Sequence, residues 1–288
     1  MSYLISQLSF LSKLSCLLIS LYLPSLNAAV WSITYPKQPL EESIHVKYPI
    51  ELLELALAKT GVRFEVQPTD DVILQGKAFN LLSNNRSINI LWSMTNQQRE
   101  ADFLPIRVPI FKGLIGWRVL LIDPSMLPKL ESSNLRDHAA VQGMDWPDTK
   151  VLQSNGFNVV NATSYDEAFT IMHRNQADIF PRSVIEVLAE MADDNLRREL
   201  ILEPNFVLQY PSAIYFFVNK RNKILAKLLE QGFAAAVADG TFDALFNEVY
   251  LPLLKELKVS QRQVVQLSNP LLPLETPLDD EHLWYSIN

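Results

Sequence analysis

The feature that most constrains this chain is an alternation of strand-like and helix-like segments that begins at Val30. The run IELLELALAKTG is helix-like and ends at Gly61, and glycine favours the left-handed backbone just past a helix end. The next run, VRFEV, alternates apolar and charged residues, as a half-buried strand does. Strands that alternate with helices indicate mostly parallel sheets with helices on both faces. The sequence therefore predicts an α/β fold.

The second half of the chain repeats this alternation. Residues 147–155 predict a helix, because a proline opens the segment and Gly156 follows its end. Residues 164–167 and 183–186 both read Ser-x-x-Glu, the capping box that satisfies the first free N–H groups of a helix. Each capping box predicts a helix start, and we expect the second helix to run through Met191.

The chain has 288 residues, more than a usual single domain, so we expect two lobes. Proline and glycine punctuate extended apolar residues between 106 and 123, which predicts one segment that crosses between the lobes. A second extended stretch at 200–220 would cross back and make the first lobe discontinuous. The predicted organisation is a signal peptide at 1–29, a first lobe at 30–117 and 218–258, a second lobe at 118–217, and a C-terminal strap at 259–288.

Composition excludes several classes of protein. Apolar residues make up 48% of the chain and charged residues 20%, which is enough to bury a core and excludes general disorder. The net charge of -7 argues against nucleic acid as the main partner. One cysteine cannot form a disulfide within the chain, and four scattered histidines show no metal-ligand spacing. No cofactor motif and no catalytic motif is present, so we predict neither.

The first 29 residues are typical of a secretory signal peptide. A short apolar run at 14–23 follows Lys13, and Ala28 and Ala29 end the segment. A positive start, a brief apolar stretch and small residues before the cleavage site define such a signal. The run is shorter than the roughly 20 apolar residues of a membrane span. We therefore predict cleavage and export to the periplasm, with an uncleaved membrane anchor as the alternative.

Four segments also match a known family in order and spacing. They are NILWSMTNQQRE (89–100), LPIRVPIFKGLIGWRVLLI (104–122), NLRDHAAVQG (134–143) and ADGTFDALFNEVY (238–250). Together they resemble the type II periplasmic solute-binding proteins of family 3, which are associated with polar amino-acid uptake. The resemblance implies a two-lobed fold that closes by hinge bending on a small molecule held between the lobes. It also implies a monomer that serves a membrane transporter or sensor.

The chain departs from the family at two charged positions. The family binds an α-carboxylate with an Arg after a Thr motif, and here Thr95 precedes Arg99 by four residues instead of three. The family holds the α-ammonium with an acid after a strand of the second lobe, where this chain has Arg182. These departures favour a carboxylated or anionic ligand, or a bulky ligand that stacks on aromatic side chains. In the alternative interpretation neither arginine binds a ligand: Arg99 is a solvated charge on a helix, and Arg182 forms a salt bridge with Glu186.

Other candidate ligand residues are polar or aromatic. Gly143 would allow a ligand to approach the backbone closely, and Trp146 could stack on that ligand. Tyr35 and Tyr48 flank the loop after the first strand, where an aromatic wall is expected, although both are as readily core residues. Two other functions remain open from the sequence: a dehydratase-like enzyme on the same fold, and a sensory or interaction module without a ligand.

Overall fold

The computed structural model describes residues 30–38, 43–193 and 199–287. The predicted signal peptide, with Lys13, Cys16 and its cleavage site, lies outside the described residues. The strands, in chain order, are β1 (Trp31–Lys37), β2 (Phe64–Val72), β3 (Ile90–Met94), β4 (Phe103–Ile106), β5 (Trp117–Ile122), β6 (Ala139–Gly143), β7 (Asn158–Ala162), β8 (Phe180–Ser183), β9 (Ile201–Leu202), β10 (Phe206–Gln209), β11 (Ile214–Asn219) and β12 (Gln263–Gln266).

The helices alternate with these strands through most of the chain. They are α1 (Ile44–Ala58), α2 (Gln75–Ser83), α3 (Gln97–Asp102), α4 (Leu127–Glu131), α5 (Pro147–Ser154), α6 (Tyr165–His173), α7 (Val187–Ala192), α8 (Lys223–Ala238) and α9 (Thr241–Glu256). The predicted α/β class, with sheets flanked by helices, is therefore confirmed.

The strands form two groups, which we call the first and second lobes. In the first lobe β11 lies between β3 and β4, antiparallel to both, while β1 pairs with β2 in parallel. In the second lobe β5 pairs antiparallel with β8, β9 and β10, and β6 pairs with β7 in parallel. Five of the eight strand pairs in the described residues are antiparallel, so the predicted mostly parallel pairing is corrected to a mixed one. The physical reason is that the strands at the two crossings run in opposite directions.

Two crossing segments join the lobes side by side. The first runs from the end of β4 to the start of β5, and the second links β10 to β11. The N–H of Ile110 donates to the carbonyl of Ile214 at 3.0 Å, and the N–H of Tyr210 donates to the carbonyl of Gly116 at 3.1 Å. A Cβ atom on Gly116 would lie 2.0 Å from the Tyr210 carbonyl oxygen, so only glycine allows this approach.

The lobe boundaries drawn from the sequence stay a prediction, although strand pairing bears on two of them. Strand β11 joins the first-lobe sheet from Ile214 onward, four residues before the predicted return at 218. Strand β12 falls in the predicted strap and pairs in parallel with β10 of the second lobe. The strap therefore begins as a strand of the second lobe.

Candidate functional site

Two cavities of about 570 Å³ each lie between the lobes and share Met94, Trp146 and Pro147. We name them the Arg99 cavity and the Arg182 cavity after the arginine that lines each. The Arg99 cavity is lined by the end of β3 with the start of α3, by the loop before α5, and by residues 269–271 of the strap. The Arg182 cavity is lined mainly by the second lobe, with His45 and Met94 from the first. One predicted arginine therefore lines each cavity.

Arg99 is half-buried on α3, where the side chain of Asn96 caps the helix by accepting the Arg99 N–H at 2.8 Å. Its guanidinium donates to Ser93 Oγ at 2.9 Å and to the carbonyl of Met94, and more weakly to Gln75 Oε1 at 3.4 Å. A guanidinium has five N–H donors, so two remain. Burial lowers the pKa of Arg99, and no carboxylate of the described residues pairs with it.

Thr95 is buried beside Arg99 at the end of β3. Its hydroxyl donates to Glu100 Oε1 at 2.6 Å, and Glu100 in turn accepts from Arg107 at 2.6 Å. The charge of Glu100 is therefore balanced by Arg107 and leaves Arg99 unpaired. The hydroxyl oxygen of Thr95 still has lone pairs, so it could accept a hydrogen bond within the Arg99 cavity.

Arg182 is 5% exposed on β8, and its charge is compensated within the second lobe. Its Nε donates to both carboxylate oxygens of Glu190, at 3.0 and 2.9 Å, and Nη2 donates to Glu186 at 3.4 Å. Burial acts to lower the pKa of Arg182, but the bond to Glu190 and the charge of Glu186 raise it above its usual value. The alternative pairing with Glu186 is therefore confirmed, and Glu190 adds a closer partner.

A second arginine, Arg118 on β5, is also compensated. Its Nη2 donates to Asp148 Oδ1 at 2.5 Å, and its Nε donates to the hydroxyl of Tyr210 at 3.0 Å. The Tyr210 hydroxyl donates to the same Asp148 oxygen. Burial acts against the charge of Arg118, yet Asp148 keeps its pKa above the usual value. This buried group fixes the start of α5 against β5 and the second crossing segment.

Carboxylates outnumber guanidinium groups in the Arg182 cavity. Asp148 and Glu190 each hold one arginine, while Glu186 contacts Arg118 and Arg182 only at 3.8 and 3.4 Å. The Glu186 side chain keeps 35% of its surface exposed. His45 faces this surplus from α1, where burial lowers its pKa and the two glutamates act in the opposite direction. The Arg182 cavity is therefore acidic, unlike the Arg99 cavity.

Trp146 forms part of the wall that both cavities share. Its ring is stacked on Phe180 at 6.4 Å between centroids, and the Arg182 guanidinium lies 5.0 Å from its centroid. A Cβ atom on Gly143 would lie 2.5 Å from the Trp146 ring. The close approach that the sequence predicted at Gly143 is thus made by this ring instead of a ligand.

The two tyrosines lie outside both cavities. Tyr48 on α1 is fully buried, with its ring edge-on to Tyr250 at 4.9 Å. Tyr35 on β1 is 6% exposed, and its ring lies 5.6 Å from that of Trp92. Neither ring lines the Arg99 or the Arg182 cavity. The structure therefore places these rings in the core instead of the expected aromatic wall, because apolar burial decides their position.

Several cavity residues were not singled out from the sequence. They are His45, Met94, Asn96, Lys150, Glu190 and Asn269. Glu190 follows Glu186 by four residues, a spacing that places two side chains on one helical face and could have indicated it. Nothing local marks Asn269, because it reaches the cavity through the path of the strap.

Residues 30–38, 43–193 and 199–287 contain neither a metal-ligand cluster nor a membrane-spanning helix. No three His, Cys, Asp or Glu side chains in these ranges are grouped to hold a metal ion. In the same ranges, no helix has both the length and the apolar character needed to cross a bilayer.

Solved structures share this fold at low sequence identity. The periplasmic VFT2 domain of Bordetella pertussis BvgS matches with a TM-score of 0.55 and 15% identity, over 76% of this chain and 92% of that chain. The Bacillus subtilis protein ytmK, a probable amino-acid ABC transporter extracellular-binding protein, matches with a TM-score of 0.55 and 15% identity, over 77% and 98%. A third match is a periplasmic His/Glu/Gln/Arg/opine family-binding protein from Silicibacter pomeroyi, in complex with lysine. Its TM-score is 0.51 and its sequence identity 10%, over 76% of this chain and 96% of that chain.

No protein-family model matches the chain, and neither does a curated protein. Two of these three structures are named as binding proteins, and the third is a periplasmic domain. At such identities they show the fold and nothing finer. The chain has the two-lobed fold of type II periplasmic binding proteins, with two crossing segments, and the Arg99 and Arg182 cavities lie between its lobes.

Proposed function

We propose that this protein is a solute-binding protein that closes on a small polar ligand with a carboxylate or another anionic group. The observation that carries the proposal is Arg99, a half-buried guanidinium in a cavity between the lobes that no described carboxylate neutralises. A buried charge without a partner is costly, so a ligand anion would stabilise it. Lys150 and Asp145 line the other side of the same cavity with opposite charges, so the positive charge of Arg99 remains in excess.

Arg182 does not form a second anion-binding site in this proposal, because Glu190 and Glu186 already compensate its charge. Instead, Glu186 offers the Arg182 cavity a partly exposed carboxylate held only by long contacts. A ligand that spans both cavities past Trp146 would meet positive charge at Arg99 and negative charge at Glu186. We therefore favour a carboxylated ligand that also carries a cationic group, such as an amino acid, over a dicarboxylate.

We further propose that the protein acts after export and passes its ligand, or the signal of its binding, to a membrane transporter or sensor. The support comes from the predicted signal peptide and from the fold shared with ytmK and the BvgS domain. We propose binding without catalysis, because the two buried carboxylates of the Arg182 cavity, Asp148 and Glu190, are each engaged with an arginine.

A thermal-shift screen tests this proposal with L-lysine, L-arginine, L-glutamate, succinate and benzoate as probes. A compound that binds only the folded state raises the melting temperature, and calorimetry then gives its affinity. We expect Arg99→Gln to weaken the best probe roughly tenfold to a hundredfold, the worth of a charge-assisted hydrogen bond. Arg86→Gln, an exposed arginine of the same lobe, is the matched control and should bind as the wild type does. Equal affinities for the two variants would remove Arg99 from the site.

A further inference from the structure

The C-terminal strap starts in the second lobe and is fixed there by a continuous set of backbone contacts. Strand β12 runs in parallel register with β10, and the N–H of Leu267 extends that ladder to the carbonyl of Gln209 at 2.8 Å. The side chain of Asn155, just past α5, then bonds both the carbonyl and the N–H of Ser268. Its Nδ2 donates to the Ser268 carbonyl at 2.7 Å, and its Oδ1 accepts the Ser268 N–H at 2.9 Å.

The strap ends against the first lobe and the first crossing segment. The N–H of Tyr285 donates to the carbonyl of Lys112 at 2.8 Å, and the Trp284 ring covers Gly113 so closely that a Cβ there would lie 2.6 Å from it. Trp284 packs with the first-lobe cluster that includes Phe103 and Phe217. Its Nε1 donates to the carbonyl of Pro277 at 2.8 Å. Both ends of the strap are therefore anchored, one in each lobe.

The middle of the strap forms a wall of the Arg99 cavity. Asn269, Pro270 and Leu271 line that cavity together with Arg99 and Trp146. Asn269 Nδ2 donates to the carbonyl of Pro211 on the second crossing segment at 2.9 Å. Prolines at 270, 273 and 277 fix the backbone φ angle and stiffen the segment.

We propose that the strap is a third connection between the lobes, one that limits how far they open and positions a wall of the Arg99 cavity. Residues 269–283 connect the two anchors through a series of turns, so opening the lobes beyond the reach of this segment requires those turns to unfold or one anchor to break. The strap also contacts both crossing segments, where bending would occur. Only its role as a cavity wall rests on the proposed function, because the limit on opening holds without any ligand.

The test measures the distance between the lobes without ligand. Spin labels are placed at Lys77→Cys on α2 and Lys129→Cys on α4, both exposed, in a Cys16→Ser background of the full chain. Pulsed electron paramagnetic resonance then gives the distribution of distances. We expect Trp284→Ala, which releases the first-lobe anchor, to broaden this distribution and shift its mean. Leu274→Ala is the matched control, since that side chain is 95% exposed on the strap itself and should change nothing.

A four-residue Gly-Ser insertion after the exposed Leu274 lengthens the strap while both anchors stay in place, and it decides the question if Trp284→Ala fails to fold, as judged by circular dichroism. An unchanged distribution in a folded variant of either kind would overturn the proposal and leave the strap as a surface segment. Because no ligand enters the measurement, that failure is distinct from a failure of the probes to bind. Broadening in Leu274→Ala as well would also overturn it, since release of an anchor would then not be the cause.

Discussion

Arg182 and Glu190 are each nine-tenths buried or more, so neither charge can rely on water. Removing one partner leaves the other buried and less well compensated, which costs about 3–5 kcal/mol for a buried pair. We expect Glu190→Gln to destabilise the protein by that order, because Glu186 reaches Arg182 only at 3.4 Å. The Arg182→Met/Glu190→Leu double variant should lose much less stability. Urea unfolding of both variants measures this, and a double variant as unstable as the single one would contradict it.

The carboxylate partners of Arg182 and Arg118 show which contacts can be predicted from a single sequence and which cannot. Glu186 is predictable because it follows Arg182 by four residues. Glu190 follows by eight, across an irregular turn before α7, and no local rule relates positions so far apart. Asp148 lies 30 residues from Arg118, so their contact depends on how the second lobe folds. Local spacing therefore identifies the charged residues but only some of their partners.

Helices α1 and α8 approach each other closely at Gly232. A Cβ atom there would lie 2.1 Å from the backbone oxygen of Ala56, and backbone cannot move aside as a side chain can. We expect Gly232→Ala to cost about 1–3 kcal/mol, as overpacking a core does. Gly76 in α2 is the matched control, since a Cβ there meets nothing within 4 Å. Gly76→Ala should be neutral or stabilising by up to about 1 kcal/mol. Equal effects in chemical denaturation would contradict this reading of the helix contact.

Helix ends were predictable where a residue's role depends only on its immediate neighbours in the sequence. Gly61 and Gly156 adopt φ angles of +70° and +84°, which confirms their predicted left-handed backbone. Ser164 accepts the Glu167 N–H at 3.1 Å, which confirms the first capping box. The second capping box is wrong: Ser183 remains in β8, its hydroxyl donates to the Leu114 carbonyl, and α7 begins at Val187. There the tertiary pairing of β8 with β5 outweighs a local capping preference.

At the scale of the whole molecule, the two-lobed α/β architecture was predictable because the order of strands and helices can be identified from local sequence patterns, without knowledge of tertiary contacts. The cavities were predictable only in outline. Arg99 and Arg182 do line cavities between the lobes, one in each. Whether either charge is compensated depends on long-range partners, and the strap wall at residues 269–271 depends on a path through both lobes. Such features depend on contacts between residues far apart in the sequence, which local patterns do not encode.

One of three clusters of buried apolar side chains in the described residues crosses from one lobe to the other, so we expect the two lobes to unfold together. A single cluster of buried apolar side chains includes Leu52 of α1, Phe216 of β11 and Phe180 of β8. We therefore expect one calorimetric transition whose enthalpy equals the van't Hoff enthalpy. Leu52→Ala in the first lobe and Leu121→Ala in the second, both fully buried members of this cluster, should each cost about 2–5 kcal/mol. Each should lower the temperature of that same transition. Two transitions, each moved by only one of the substitutions, would show that the lobes unfold independently despite their shared core.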